Sequence, residues 1–153
     1  MKRVFLMAMV ALVAVCGLGV FATTDSASAA ERELSGRGVL YARGAGLAAV
    51  EGDGCVEIRS YGVGTVAITG AERIEARGND NRTTRSDGTV VFVGFEGTIH
   101  ACGDDMTVRM EGRRIQFKAM GEGNAFLKGY GTFKLGGLSG RWTKDGVRLH
   151  FES

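Results

Sequence analysis

Apolar and polar residues alternate along much of this chain, and paired glycines divide the alternation into short units. Each unit reads G-x-G-x-φ-x-φ-x, where φ is an apolar residue. Successive pairs begin eight, eight and ten residues apart in the first half, and the eight-residue spacing returns near the end. The pairs are Gly36-Arg37-Gly38, Gly44-Ala45-Gly46, Gly52-Asp53-Gly54, Gly62-Val63-Gly64, Gly121-Glu122-Gly123 and Gly129-Tyr130-Gly131.

The apolar positions of the first half keep one phase from Gly36 to Gly78, because every apolar member of a unit has an even number. Successive residues of a strand point to opposite faces, so the even positions predict one buried face. Charged residues such as Arg43, Glu57 and Arg59 occupy odd positions. No apolar stripe with helical spacing is present, and each glycine disfavours a helix by about 1 kcal/mol relative to alanine. The sequence therefore predicts an all-β domain.

Regular glycines on the buried phase predict bends, bulges or close approaches of the backbone rather than ordinary strand interior. Two architectures fit this pattern. In a β-solenoid the glycines turn the corners between short rungs, whereas in an antiparallel sandwich or barrel they form hairpin turns. The unbroken phase favours a glycine-punctuated β-solenoid, and an antiparallel β-sandwich or barrel is the alternative.

A polar stretch without an apolar member interrupts the pattern at residues 78–89. It predicts an exposed loop within a single domain, because neither flanking half would bury much apolar surface alone. The sequence Gly103-Asp104-Asp105 predicts a turn between two later strands. Outside the repeats, predicted strands cover residues 90–93, 98–102, 106–110, 115–119, 141–143 and 147–151.

The first thirty residues have the layout of an export signal. A positive start, Met1-Lys2-Arg3, precedes an uncharged apolar run over residues 4–22 and small-residue cleavage sites near residue 30. This predicts a cleaved signal peptide over residues 1–30 and a domain over residues 31–153 that is periplasmic, at the cell surface or extracellular. An uncleaved anchor is the alternative, since about 19 apolar residues can span a bilayer.

Three cysteines have different expected roles. Cys16 lies in the apolar run and follows a valine, whereas a lipidated cysteine normally follows a small residue. Cys55 and Cys102 remain after cleavage, and an even number in an exported chain predicts a disulfide between them. The alternatives are two free thiols or, if Cys55 lay opposite His100 and Cys102, a His/Cys/Cys metal site. Because the paired short spacings of structural zinc sites are missing, no metal or other cofactor is predicted.

Composition and charge narrow the function classes. Glycine supplies 25 of 153 residues and proline none, which excludes collagen, and 44% apolar residues argue against a disordered linker. Charge is nearly balanced, with 19 basic and 17 acidic residues, and offers no case for a nucleic-acid partner. No second apolar stretch is long enough to cross a membrane, so membrane contact is expected only during export.

Outward aromatic residues are the candidate ligand-binding groups. Tyr41, Tyr61, Phe126 and Tyr130 lie on the predicted exposed phase, where rings can stack on sugars or anchor a protein partner. Stabilisation of the sheet surface by cross-strand pairs is the alternative. A nucleophilic Cys102 beside its neighbouring histidine lacks a clear orienting acid, so no catalytic residue is predicted.

The repeat is similar to that of exported, glycine-rich β proteins of prokaryotes, which carry G-x-G runs separated by five residues behind a signal peptide. The resemblance covers residues 36–146 and rests on Gly36 to Val50, Gly52 to Ile68 and Gly121 to Leu135. It implies an envelope location and a β fold, and it transfers no functional residue.

These observations predict a non-enzymatic β-repeat protein that serves as a structural or interaction element of the cell envelope. A small module that binds a polysaccharide or another envelope ligand through the four aromatic residues is the alternative, and a hydrolase is a third. Self-association through an exposed sheet edge or solenoid end is compatible with this interpretation.

Overall fold

The structure is a computed structural model that describes residues 32–79 and 81–153, so the predicted signal peptide lies outside the described residues. Within them the chain forms nine strands and no helix, which confirms the predicted all-β class. Accordingly, this part of the chain contains no helix that could span a membrane. The strands are β1 (Arg32–Arg37), β2 (Leu40–Tyr61), β3 (Thr65–Thr69), β4 (Arg73–Gly78), β5 (Arg82–Thr84), β6 (Val90–Val93), β7 (Glu96–Leu135), β8 (Leu138–Arg141) and β9 (Val147–Glu152).

All nine strands belong to one open sheet, and β7 is its central strand. The strand order is β1-β9-β7-β3-β6-β5, while β2, β4 and β8 also pair with β7. The pairing of β1 with β9 is parallel, and the other pairings between these strands are antiparallel. A single strand of 40 residues therefore connects most of the sheet.

β7 runs along both edges of β2. Residues 96–119 pair with one edge and residues 116–135 with the other, antiparallel in both cases. As a result, Leu40 and Val56 both pair with Ala119. Neighbouring strands are about 4.8 Å apart, so these two residues lie about 10 Å apart although roughly 50 Å of extended chain joins them. β2 therefore curves back on itself, and sixteen residues, or two glycine units, complete one turn.

The paired glycines of the two strands face one another. Gly52-Asp53-Gly54 lies opposite Gly121-Glu122-Gly123, and Gly44-Ala45-Gly46 lies opposite Gly129-Tyr130-Gly131. A Cβ on the first of these glycines, Gly52, would lie 2.6 Å from the Cα of Gly123 and would overlap the carbonyl oxygen of Glu122. These units lie inside β2 and β7 rather than in hairpin turns. The close backbone approach that the sequence predicted is thus confirmed.

Two bulges in β7 lie opposite the middle residues of glycine units. Asp53 faces the pair Asp104 and Asp105, and Ala45 faces Arg113–Arg114. Asp105 has a φ of 52°, and its N–H donates a hydrogen bond of 2.8 Å to Asp53 Oδ1. The predicted turn at these aspartates is wrong, because the bulge absorbs the extra residue and lets the strand continue. The predicted strands over 98–102, 106–110 and 115–119 are consequently parts of β7.

Buried side chains follow the predicted phase. The apolar even positions of the first-half repeats are at most 5% exposed, and their counterparts in the second half are at most 2% exposed. These residues are Leu40, Ala42, Ala48, Val50, Val56, Ile58, Val66, Ile68, Ala125, Leu127, Phe133 and Leu135. Trp142 is also buried, and its indole N–H donates to the carbonyl of Thr132 at 3.2 Å.

The sequence predicted a loop over the polar segment at residues 78–89. The structure shows that only part of this segment is a loop. Residues 82–84 form β5, which pairs with β6 through backbone groups and needs no apolar side chains. The chain then turns, with Asp87 Oδ1 accepting a 2.9 Å hydrogen bond from the N–H of Thr89. Hydrogen bonds from the backbone and side chain of Thr89 lower the pKa of Asp87 below 3.8.

Candidate functional site

One outward row of the sheet alternates arginine with uncharged polar residues, and we call it the arginine ladder. Each member pairs with the next across neighbouring strands, and all four arginines are exposed. Two strand spacings, about 10 Å, separate successive arginines. None of the four makes an ion pair within residues 32–79 and 81–153. In spatial order the ladder is Arg141, Thr132, Arg43, Gln116, Arg59, Thr98 and Arg77.

An open cavity of about 520 Å³ adjoins the ladder. Tyr61 and Tyr130 line it together with Arg43 and the Arg113–Arg114 bulge, and no acidic residue of the described chain is among its lining. The hydroxyl of Tyr61 donates a hydrogen bond of 3.0 Å to the side-chain oxygen of Gln116. The cavity therefore combines three guanidinium groups with two aromatic rings.

Tyr41 borders a second cavity of about 300 Å³ that shares Arg43 with the first and also contacts Lys134. The Nζ atom of Lys118 lies 5.8 Å from the centre of the Tyr41 ring. The arginine ladder, the two cavities and these lysines lie on one surface, which we call the basic face and which also carries Glu57, a cross-strand partner of Lys118. Tyr41 is 50% exposed there, and Tyr61 and Tyr130 are 45% and 65% exposed.

Phe126 is the predicted aromatic residue that lies away from the basic face. It is partly buried and pairs with Ala49 and Arg148, whose guanidinium carbon lies 5.5 Å from the ring centre. A separate cavity of about 270 Å³, bordered by Glu51 and His150 among others, contains it. The structure thus gathers three of the four candidate aromatic residues and places the fourth elsewhere.

The sequence interpretation missed the arginines as a group. It interpreted Arg43 and Arg59 only as charged odd positions that mark the outward face of the strands. These two residues are sixteen positions apart, which is one turn of β2. The sixteen-residue interval was the sequence signal that could have identified the ladder, because residues one turn apart lie on the same row of the sheet.

Cys55 and Cys102 form a disulfide, which confirms the predicted pairing. They are direct cross-strand partners, and their Cα atoms are 4.1 Å apart. This bond is compatible with an exported, oxidising location. It also occupies the sulfur that a nucleophilic role of Cys102 would require.

His100 lies beside the disulfide. Its Nδ1 atom is 3.8 Å from the sulfur of Cys102, and the potential ligand atoms of Cys55, His100 and Cys102 lie within 4.8 Å of one another. The thiolate is the form of cysteine that binds metals, so the disulfide form offers neither sulfur as a thiolate ligand.

Comparison of the chain with family models, with curated proteins and with solved structures finds no match.

Proposed function

We propose that the protein is a non-enzymatic interaction element of the cell envelope that binds an anionic polysaccharide through the basic face. The observation that carries this proposal is the arginine ladder, whose member Arg43 lines a cavity with two tyrosine rings and the Arg113–Arg114 bulge. Guanidinium groups bind carboxylates and phosphates in a bidentate geometry, and they remain charged at any physiological pH.

The tyrosines supply the second part of the recognition. Tyr61 and Tyr130 expose ring surface at the mouth of the cavity, where sugar rings can pack. Lys144 lies 5.7 Å from the centre of the Tyr130 ring and adds another cation there. A polymer with alternating sugar and anionic groups fits such a surface better than a neutral glycan or a simple anion does.

The winding of β2 and β7 supports the finer fold assignment that we propose, a β-solenoid with glycine corners. One turn takes sixteen residues, and the glycine units recur every half turn. In this arrangement equivalent outward residues of successive turns line up, which explains how a ladder of arginines arises from a repeating sequence.

Binding to immobilised polysaccharides tests the proposed function. We expect saturable binding to a carboxylated or phosphorylated glycan and weak binding to a neutral glycan of the same length. The variant R43Q/R59Q should bind about 5- to 30-fold more weakly, since each lost surface charge contact costs on the order of 1 kcal/mol. The control R109Q/R148Q removes the same formal charge from the side of the sheet that carries Phe126, where Arg109 is ion-paired with Glu111, and should bind like the wild type.

Three outcomes would contradict the proposal. Equal affinity for neutral and anionic glycans would exclude the ladder as the recognition element, and so would unchanged binding by R43Q/R59Q. Equally tight binding of single-stranded DNA at 0.15 M salt would indicate an unselective polyanion surface, because the tyrosines would then add no preference for sugar.

A further inference from the structure

Four side chains with soft-metal donor atoms meet on the outer surface at the disulfide. Cys55 pairs with Cys102 on one side and with Met120 on the other, and His100 precedes Cys102 by two residues on the same strand. Residues that pair directly across antiparallel strands place their side chains on one face, with Cβ atoms about 4.5–5.5 Å apart. All four residues are partly buried, so the cluster is neither sealed in the core nor fully solvated.

We propose that the reduced protein binds one copper(I) ion through Cys55, Cys102, His100 and Met120. In a tetrahedral site with a metal–sulfur bond of about 2.3 Å and a metal–nitrogen bond of about 2.0 Å, the sulfur and nitrogen atoms are about 3.5 Å apart. The Nδ1 atom of His100 lies 3.8 Å from the sulfur of Cys102. The ligand atoms of His100 and the two cysteines lie within 4.8 Å of one another in the disulfide form, and after reduction the two bonded sulfurs move apart to the spacing of metal ligands, about 3.8 Å.

The donor atoms of these four side chains favour copper(I) over zinc. Thiolate and thioether sulfur are soft ligands that favour copper(I), whereas zinc sites are built from cysteine, histidine and carboxylate without methionine. Met120 thus distinguishes a copper(I) site from a structural zinc site. The sequence interpretation considered only the His/Cys/Cys set, because the pairing of Met120 with Cys55 is a property of the sheet register.

Opening the site requires reduction of the disulfide by an external dithiol. A thiolate of the dithiol attacks one sulfur of the bond, and its second thiol then releases the mixed disulfide. Two electrons and two protons are transferred to the pair, which leaves Cys55 and Cys102 as thiols and the reductant as a disulfide. Copper(I) then displaces the two thiol protons and keeps its own oxidation state.

Charged residues lie next to the ligands in the sheet. Glu57 and Glu75 are the cross-strand partners of His100, and carboxylates next to a histidine commonly orient the ring of a metal ligand. Arg73 is the second cross-strand partner of Cys102, and its guanidinium forms an ion pair with Glu75 at 3.4 Å.

The test uses the whole protein, reduced with a phosphine and separated from it without oxygen. Copper(I) is supplied as its coloured bicinchoninate complex, and loss of colour measures transfer to the protein. We expect one equivalent to transfer to the reduced protein and none to the disulfide form. M120L and H100N should each weaken binding by about tenfold or more. H150N is the control, because His150 hydrogen-bonds Asn124 outside this cluster and should leave the affinity unchanged.

The copper-transfer assay on the same proteins also defines the results that would overturn the proposal. It fails if the reduced wild type leaves copper with the probe, or if M120L and H100N bind like H150N. Far-UV circular dichroism of the reduced protein must retain the β spectrum, because a reduced chain that unfolds could not hold ligands from three strand segments together. Polysaccharide binding is measured separately and does not affect this result.

Discussion

Replacing Gly52 with alanine tests why glycine recurs at fixed intervals in β2. Gly52 has a φ of 144°, and a Cβ there would overlap the carbonyl oxygen of Glu122. An unfavourable φ costs a residue with a side chain about 1–2 kcal/mol, and forcing extra atoms into packed backbone costs about 1–3 kcal/mol. We therefore expect G52A to lower the free energy of unfolding by about 2–5 kcal/mol.

Alanine substitutions at three further glycines separate the cost of the positive φ from the cost of the backbone overlap. Gly88 has a φ of 85° and open space around it, whereas Gly123 lacks a positive φ but would collide with the carbonyl of Glu51. Gly137 has neither feature. We expect losses of about 1–2 kcal/mol for G88A from the φ alone and about 1–3 kcal/mol for G123A from overlap alone. G137A should remain within about 0.5 kcal/mol of the wild type.

Urea denaturation followed by fluorescence provides the measurement. Trp142 is the only tryptophan and is 4% exposed, so its emission reports loss of the core. The midpoint should shift while the dependence on urea concentration stays constant, as expected for a change in stability alone. Equal stability of G52A and G137A would refute the reasoning, because the backbone of β2 would then tolerate a side chain where it lies against the backbone of β7.

Reduction of the Cys55–Cys102 bond, which spans 47 residues, should lower the free energy of unfolding by about 4 kcal/mol in the chain-entropy model; urea denaturation with and without reductant measures this. Because its folded pKa is lowered, the Asp87 carboxylate stabilises the fold at neutral pH and loses this effect as pH falls through that pKa; an NMR titration should place the midpoint below 3.8. W142F removes the donor to the Thr132 carbonyl and should cost about 1–3 kcal/mol, measured by circular dichroism during urea denaturation.

The all-β class and the buried phase could be predicted because both are local properties of the chain. Leu40, Val50 and Ile58 lie on even positions of one alternating run, and all three are buried. The disulfide followed from counting two cysteines in an exported chain. Each of these inferences needs only the two-residue period of a strand or the number of residues of one type.

The register of β2 against β7 could not be predicted, and the candidate site depends on it. Arg43 and Arg141 reach one row only because both pair with Thr132. The bulge at Asp105 was also hidden, since Gly-Asp-Asp is equally suited to a turn and only the partner strand makes it a bulge. Tyr130 and Phe126 looked alike in sequence, but they border different cavities.

The dependence of β2 on a single partner has a kinetic consequence. Each of its pairings is with β7, and Gly54, for example, pairs with Gly121, 67 residues further along the chain. Contacts of such long range make folding slow, in the range of about a millisecond to a second for small all-β domains. At synthesis rates of roughly 5–20 residues per second, a chain completed through β2 waits about 4–15 s for the end of β7. During that interval the edges of β2 are unpaired and can pair with other chains.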